Sequence, residues 1–240
     1  MAAGNGAGRA RCRARAGRWR GARCASPRRR RRSGTWRSSP TWPRYGNGCG
    51  RNSIPPPEGE DLPTCLNLFG YTGVGSLALA AAGARVVHVD ASKKSVDAAK
   101  ANAKASGLAD APVRWLVDDA AKFVAREVRR GRRYDGILLD PPKYGRGPEG
   151  EVWRLEEHLA GLVADARRLL DERSRFLFLT VYAVRMSALS IGELLRQAFA
   201  DLPGEVEAGE LGVREEARGL VLPTAIWARW SIQRRSIKVM

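Results

Sequence analysis

Residues 66–92 read LNLFGYTGVGSLALAAAGARVVHVDAS, and the way this stretch hands over from one apolar run to the next decides the fold. The run LNLF breaks into Gly70, Gly73 and Gly75. An alanine-rich stretch follows, and a second apolar run, RVVHV, ends in Asp90. Glycines allow a tight turn where a strand passes into a helix, and they let a ligand approach the main chain. The spacing is G-x-x-G-x-G, which differs from the dinucleotide fingerprint G-x-G-x-x-G. Close helix–strand packing explains such a glycine turn as well as a ligand does.

The pattern continues outward from this unit. Short apolar runs at 64–69, 85–90, 112–117, 134–140 and 174–182 predict strands. Helical composition at 74–82, 93–107, 119–130, 151–171 and 186–200 fills the gaps, with Ala120, Phe123, Val124, Glu127 and Val128 forming one stripe. Strand–helix alternation implies an α/β fold, a doubly wound and mostly parallel sheet with helices on both faces. Residues 205–213 and 220–230 have no helix between them, which predicts an antiparallel C-terminal hairpin at one edge and seven strands in all.

In such sheets ligands bind beyond the carboxyl ends of the strands, and those ends carry distinctive chemistry. Asp90, after the second strand, can accept hydrogen bonds from both hydroxyls of a ribose; Ser92 is better placed to cap the following helix. After the third strand, Asp118 and Asp119 offer acceptors for an exocyclic amine such as that of adenine. Asp119, next to the small Ala120, is the favoured one, and charge at a helix start explains at least one of the pair. After the fourth strand comes DPPKYGRGP, residues 140–148, where two prolines stiffen the loop and aim its carbonyls. His88 and His158 sit away from strand ends and read as structural. Lys93, Lys143 and Arg146 are equally explained as phosphate contacts or as solvated surface.

Charge is unevenly spread over the 240 residues, whose formal net charge is +17. Residues 1–60 hold 15 Arg and no Lys against Glu58 and Glu60, whereas the rest holds 27 basic and 23 acidic side chains. No Leu, Ile, Val or Phe occurs from Met1 to Ser53, so this part cannot bury enough apolar surface to offset its chain entropy. It is expected to be a disordered low-complexity tail or the product of a shifted reading frame; an RNA-binding arm, with Trp19, Trp36, Trp42 and Tyr45 stacking among arginines, is the rival reading. The domain is expected over 61–230, with a basic tail over 231–240. Cys12, Cys24, Cys49 and Cys65 lack metal-ligand spacing, so no metal is expected. No stretch approaches eighteen apolar residues, so no membrane span is expected and the cytoplasm is the default location.

Taken together, LNLFGYTGVGSLALAAAGA, VVHVDAS, VDDAAKFV and ILLDPPKYGRG resemble class I S-adenosylmethionine-dependent methyltransferases. They are similar more narrowly to bacterial 23S ribosomal-RNA large-subunit methyltransferases with a DPPK motif. The resemblance covers about residues 62–230 and implies a Rossmann-like methyltransferase fold with S-adenosylmethionine as cofactor. It implies that Asn67, Phe69, Gly70, Tyr71, Thr72 and Gly73 line the methionine end. Asp90, with Ala91 and Ser92, would hold the ribose, and Asp119 with Ala120 the adenine, Asp118 being the second candidate. Asp140, Pro141 and Pro142 would face the acceptor, with Lys143 and Tyr144 beside it; Lys143 stands where amine methylases place a stacking aromatic, and Tyr144 follows.

The implied reaction is methyl transfer to a base, most simply in ribosomal RNA. Leu179-Thr180-Val181-Tyr182 carries no thiol where carbon-5 cytosine methylases keep a nucleophilic cysteine, so a mechanism without a catalytic cysteine is expected. Two alternatives stand beside it: a catalytically impaired cofactor- or RNA-binding remnant without its N-terminal substrate module, and a small-molecule methyltransferase. The sequence leaves the oligomeric state open.

Overall fold

The structure is a computed structural model that describes residues 62–182 and 184–232. The arginine-rich stretch 1–60, with Cys12, Cys24 and Cys49, and residues 233–240 of the basic tail lie outside the described residues.

The described residues form nine strands and five helices: β1 (Thr64–Leu68), α1 (Val74–Ala81), β2 (Arg85–Asp90), α2 (Lys93–Ala105), β3 (Val113–Val117), α3 (Ala120–Arg129), β4 (Gly136–Leu139), β5 (Tyr144–Arg146), β6 (Val152–Arg154), α4 (Leu155–Arg167), β7 (Phe176–Val181), α5 (Ala188–Ala198), β8 (Glu205–Arg214) and β9 (Val221–Ser231). Seven strands form one sheet in the order β3-β2-β1-β4-β7-β9-β8. The first five are parallel, and β9 runs antiparallel between β7 and β8. The expected doubly wound sheet with a C-terminal antiparallel hairpin is therefore the observed one.

The strands are apolar on both faces because both faces are covered. Every residue of β4 is buried, as are five of the six in β7. One core cluster joins Leu66, Leu68, Ile137 and Leu139 of the sheet to Phe123, Val124, Leu159 and Leu162 of α3 and α4. A second lies on the other face and joins Val86, Leu138 and Phe178 to Leu79 of α1. Burying each such side chain contributes about 1.5–3 kcal/mol. Glu127 belongs to the buried stripe of α3 because its carboxylate receives the Tyr134 hydroxyl at 2.8 Å and Arg130 at 3.0 Å.

Local signals set the helix ends. Ser92 caps α2 by accepting the Ser95 N–H at 3.2 Å, Asp119 caps α3 by accepting that of Lys122 at 2.9 Å, and Ser187 caps α5 by accepting that of Ser190 at 3.2 Å. One expectation is corrected. The stretch 151–171 is not a single helix: Val152–Arg154 is extended and pairs with Tyr144–Arg146 in a separate two-stranded ribbon, and α4 starts only at Leu155. Among the described residues no helix is long and apolar enough to cross a membrane.

Candidate active site

The site starts at the turn after β1, where the backbone is forced. Phe69 has φ 55° and Tyr71 φ 46°, left-handed values that side chains rarely adopt, and Gly73 follows at 87°. Strain of this kind persists where surrounding bonds over-determine it. Gly70 N–H donates to the Val89 carbonyl at 3.0 Å and Gly73 N–H to that of Gly70 at 2.9 Å. Tyr71 N–H donates to Asp90 Oδ2 at 2.8 Å, and Asn102 Nδ2 to the Thr72 carbonyl at 2.9 Å. Ser92 N–H donates to the other oxygen of Asp90 at 2.9 Å. Asp90 thus holds two turns in one orientation and presents its remaining lone pairs to the cleft.

The glycines of the turn mainly serve packing. A Cβ on Gly70 would come within 2.4 Å of the His88 ring, and one on Gly73 within 2.8 Å of Ala99 Cβ. Beneath the turn, Asn67 Nδ2 donates to Ser76 Oγ at 2.8 Å, and Ser76 Oγ meets His88 Nδ1 at 2.9 Å. His88 is fully buried, and its Nε2 has no hydrogen-bond partner. Burial lowers its pKa to about 4 against the opposing pull of Asp90, so the ring is neutral at pH 7.

Two clefts open at the carboxyl ends of the strands. The first, about 390 Å³, brings together Asp90, Ala91 and Ser92 from the end of β2 and Asp119 and Ala120 from the end of β3. Asp140, Pro142, Phe69 and Tyr71 complete its predicted lining. The second, about 360 Å³, takes in Asn67, Gly70 and Thr72 and is closed by Leu211, Thr224 and Ala225 of the C-terminal hairpin. Phe69, Tyr71, Asp140 and Tyr182 line both, so the two clefts share Asp140 and two tyrosines.

Asp140 is reached by solvent through the clefts yet is crowded by protein on its other sides. That crowding raises its pKa, and the hydrogen bond that Thr180 Oγ1 donates to Oδ1 counteracts the rise. Tyr182 is raised too, by burial first and then by the charges of Asp140 and Tyr71.

Of the residues that the resemblance implies for the site, five line neither cleft: Gly73, Asp118, Pro141, Lys143 and Tyr144. Asp118 is spent on a salt bridge to Arg126, Lys143 lies 3.8 Å from Glu156, Pro141 is buried, and Tyr144 stands on β5 at 53% exposure. Conversely, Trp153, Arg146 and Tyr182 line the first cleft, with Thr180 in the second. Tyr182 follows β7 directly and was readable as a strand-end residue, whereas Trp153 stands 11 residues beyond Pro142 and its distance from the corner hid it. A larger groove of about 590 Å³ opens at the opposite, amino ends of the strands, beside Arg133 and Arg173, and holds none of these residues. Among the described residues no cluster of His, Cys, Asp and Glu could hold a metal ion.

The fold agrees with comparisons to known proteins. Residues 58–159 match the family described as "Conserved hypothetical protein 95". Over 80 residues the chain is 38% identical to the ribosomal RNA large subunit methyltransferase I of Aeromonas salmonicida, covering 33% of this chain and 20% of that protein. The corresponding protein of Photobacterium profundum is 36% identical over 80 residues, with the same shares covered. The matched stretch therefore spans about a fifth of these relatives' length. A SAM-dependent methyltransferase of Agrobacterium tumefaciens is 44% identical and superposes with a TM-score of 0.73, covering 80% of this chain and 61% of that one. A methyltransferase from Streptococcus mutans shares the fold at 20% identity, with a TM-score of 0.60 over 79% of this chain and 47% of that one. The sheet order and these likenesses give the chain the Rossmann-like fold of the class I S-adenosylmethionine-dependent methyltransferases, with a sequence similar to the ribosomal RNA large-subunit methyltransferases.

Proposed function

We propose that this chain transfers a methyl group from S-adenosylmethionine to a base in RNA, ribosomal RNA being the acceptor that its similarity to the Aeromonas protein favours. One observation carries the reading: two clefts of ligand size share a single carboxylate, Asp140, at the carboxyl end of a parallel sheet.

The first cleft fits the cofactor. Asp90 is pre-oriented by two main-chain N–H groups and accepts the ribose hydroxyls. Asp119 spends Oδ1 on the cap of α3 and retains Oδ2 toward the adenine amine. The strained turn at Phe69–Gly73 forms the wall at the methionine end. When bound, the cofactor supplies an electrophilic methyl group on sulfonium.

The chain's part is alignment and charge. A planar base entering the second cleft is bracketed by Tyr71 and Tyr182. Asp140 accepts a hydrogen bond from the base's N–H and stabilises positive charge as it develops. Thr180 holds Asp140 in its rotamer and favours its ionised form. No side-chain nucleophile takes part: Cys65, the cysteine of the described residues, is buried within β1. The reading places the reaction in the cytoplasm, with RNA as the partner.

Calorimetry with S-adenosylmethionine, followed by transfer of labelled methyl to large-subunit ribosomal RNA, tests the proposal. Binding with transfer to RNA is the expected result. Binding without transfer to any acceptor points to the impaired remnant, transfer to metabolites alone points to the small-molecule enzyme, and no binding overturns the assignment of the cofactor cleft.

A further inference from the structure

The ribbon β5–β6 folds back over the first cleft, and its side chains face solvent with one exception. Tyr144, Arg146, Val152 and Arg154 are exposed, whereas Trp153 is 6% exposed. That indole makes three contacts. Its Nε1–H donates to the carbonyl of Pro142 at 2.7 Å. Its ring packs against Phe69 of the strained turn, centroid to centroid 5.0 Å, and against His158 of α4 at 5.6 Å. It also lines the first cleft. The ribbon is closed behind it by the Leu155 N–H on the Lys143 carbonyl at 3.0 Å, and its tip is tied to α3 by Lys122, which pairs with both Glu149 and Glu151.

The geometry points to Trp153 as a positioning residue, resting on the reading above that the cleft holds the cofactor and Asp140 the acceptor. One side chain grips both halves of the reaction centre: the apolar ring supports the turn that faces the cofactor, and the N–H fixes the proline corner that carries Asp140. The bond has a second effect. It takes one lone pair of the Pro142 carbonyl, so that this carbonyl is paired within the protein before any acceptor arrives. A part-buried carbonyl that lost this donor would be unpaired, and the corner would be free to reorient while Asp140 stays chemically intact.

Two variants separate the ring from its N–H. Trp153→Phe keeps the packing on Phe69 and removes the donor. We expect its cofactor Kd to stay within about twofold of wild type, its acceptor KM to be unchanged and its kcat to fall about 10-fold, the size of one lost hydrogen bond. Trp153→Ala removes the ring too, and its cofactor Kd is expected to rise about 10-fold. Hydrogen exchange supplies a readout independent of turnover: in Trp153→Phe the Gly147 and Leu155 amides should exchange about 10-fold faster, while those of β1, β4 and β7 do not change.

A Trp153→Phe protein with wild-type kcat and wild-type exchange in the ribbon overturns the inference, as does faster exchange spread evenly through the sheet. If wild type itself binds no S-adenosylmethionine, the proposed function fails instead. The exchange pattern then still decides whether Trp153 holds the proline corner.

Discussion

The imidazole of His88 occupies the space that a side chain on Gly70 would need: a Cβ there would stand 2.4 Å from its Cε1. The ring is buried on β2 and held by Ser76 of α1, so the tight turn after β1 is shaped by this histidine as much as by its own glycines. Gly70→Ala should therefore destabilise the fold by about 1–3 kcal/mol through overpacking. Gly161→Ala is the control. It lies in α4 with nothing within 4 Å of its would-be Cβ, and the change should stabilise by about 0.5–1 kcal/mol. Urea denaturation of both variants checks the pair.

Acid sensitivity follows from the same histidine. Its folded pKa of about 4 lies below the unfolded value of 6.5, so between these values the unfolded chain binds the extra proton. Stability from this group is complete above pH 6.5 and is lost as pH falls toward 4, by on the order of 3 kcal/mol. Denaturant midpoints measured across this window should fall with acidification in wild type and much less in His88→Gln. Equal slopes would contradict the buried neutral ring.

Asp90→Ala removes the acceptor that holds Tyr71 and Ser92 as well as the proposed ribose contact. Hydrogen bonds to a charged group contribute about 1.5–3 kcal/mol, so cofactor affinity should drop roughly 10- to 100-fold. Titration calorimetry reads this directly, and unchanged affinity would place the ribose elsewhere.

Asp140→Ala should lower methyl transfer by about 100- to 1,000-fold while cofactor affinity stays within about twofold. Thr180→Val gives a subtler readout. The lost hydrogen bond stabilised the ionised carboxylate, so the pKa of Asp140 rises further and the acid limb of the pH–rate profile moves to higher pH. A limb that moves down, or not at all, removes Asp140 from the rate-determining proton inventory.

The alternation of short apolar strands with helices was legible because each strand is buried on both faces, which writes continuous apolar runs such as ILL of β4. The caps at Ser92 and Asp119 were equally local and equally readable. The ribbon β5–β6 was not. Three residues, Val152-Trp153-Arg154, are too short to show a period of two, and α4 follows without a side-chain cap at Arg154 to mark its start. The site was half legible for a related reason. Carboxylates at strand ends announce themselves along the chain, and Tyr182 follows β7 just as locally, but Trp153 reaches the first cleft through the pairing of β5 with β6. Asp118 and Asp119 were adjacent candidates with one visible difference, and the structure divides them by partner: Asp118 to Arg126, Asp119 to the head of α3.

The placement of β9 between β7 and β8 divides the two clefts by where their walls lie along the chain. The first cleft is walled by residues 69–182, all of which precede the last two strands. The second cleft needs Leu211, Thr224 and Ala225, and β8 has no neighbour in the sheet until β9 arrives. A nascent chain halted before residue 221 would therefore hold every residue of the first cleft's wall and, of the second, neither Thr224 nor Ala225.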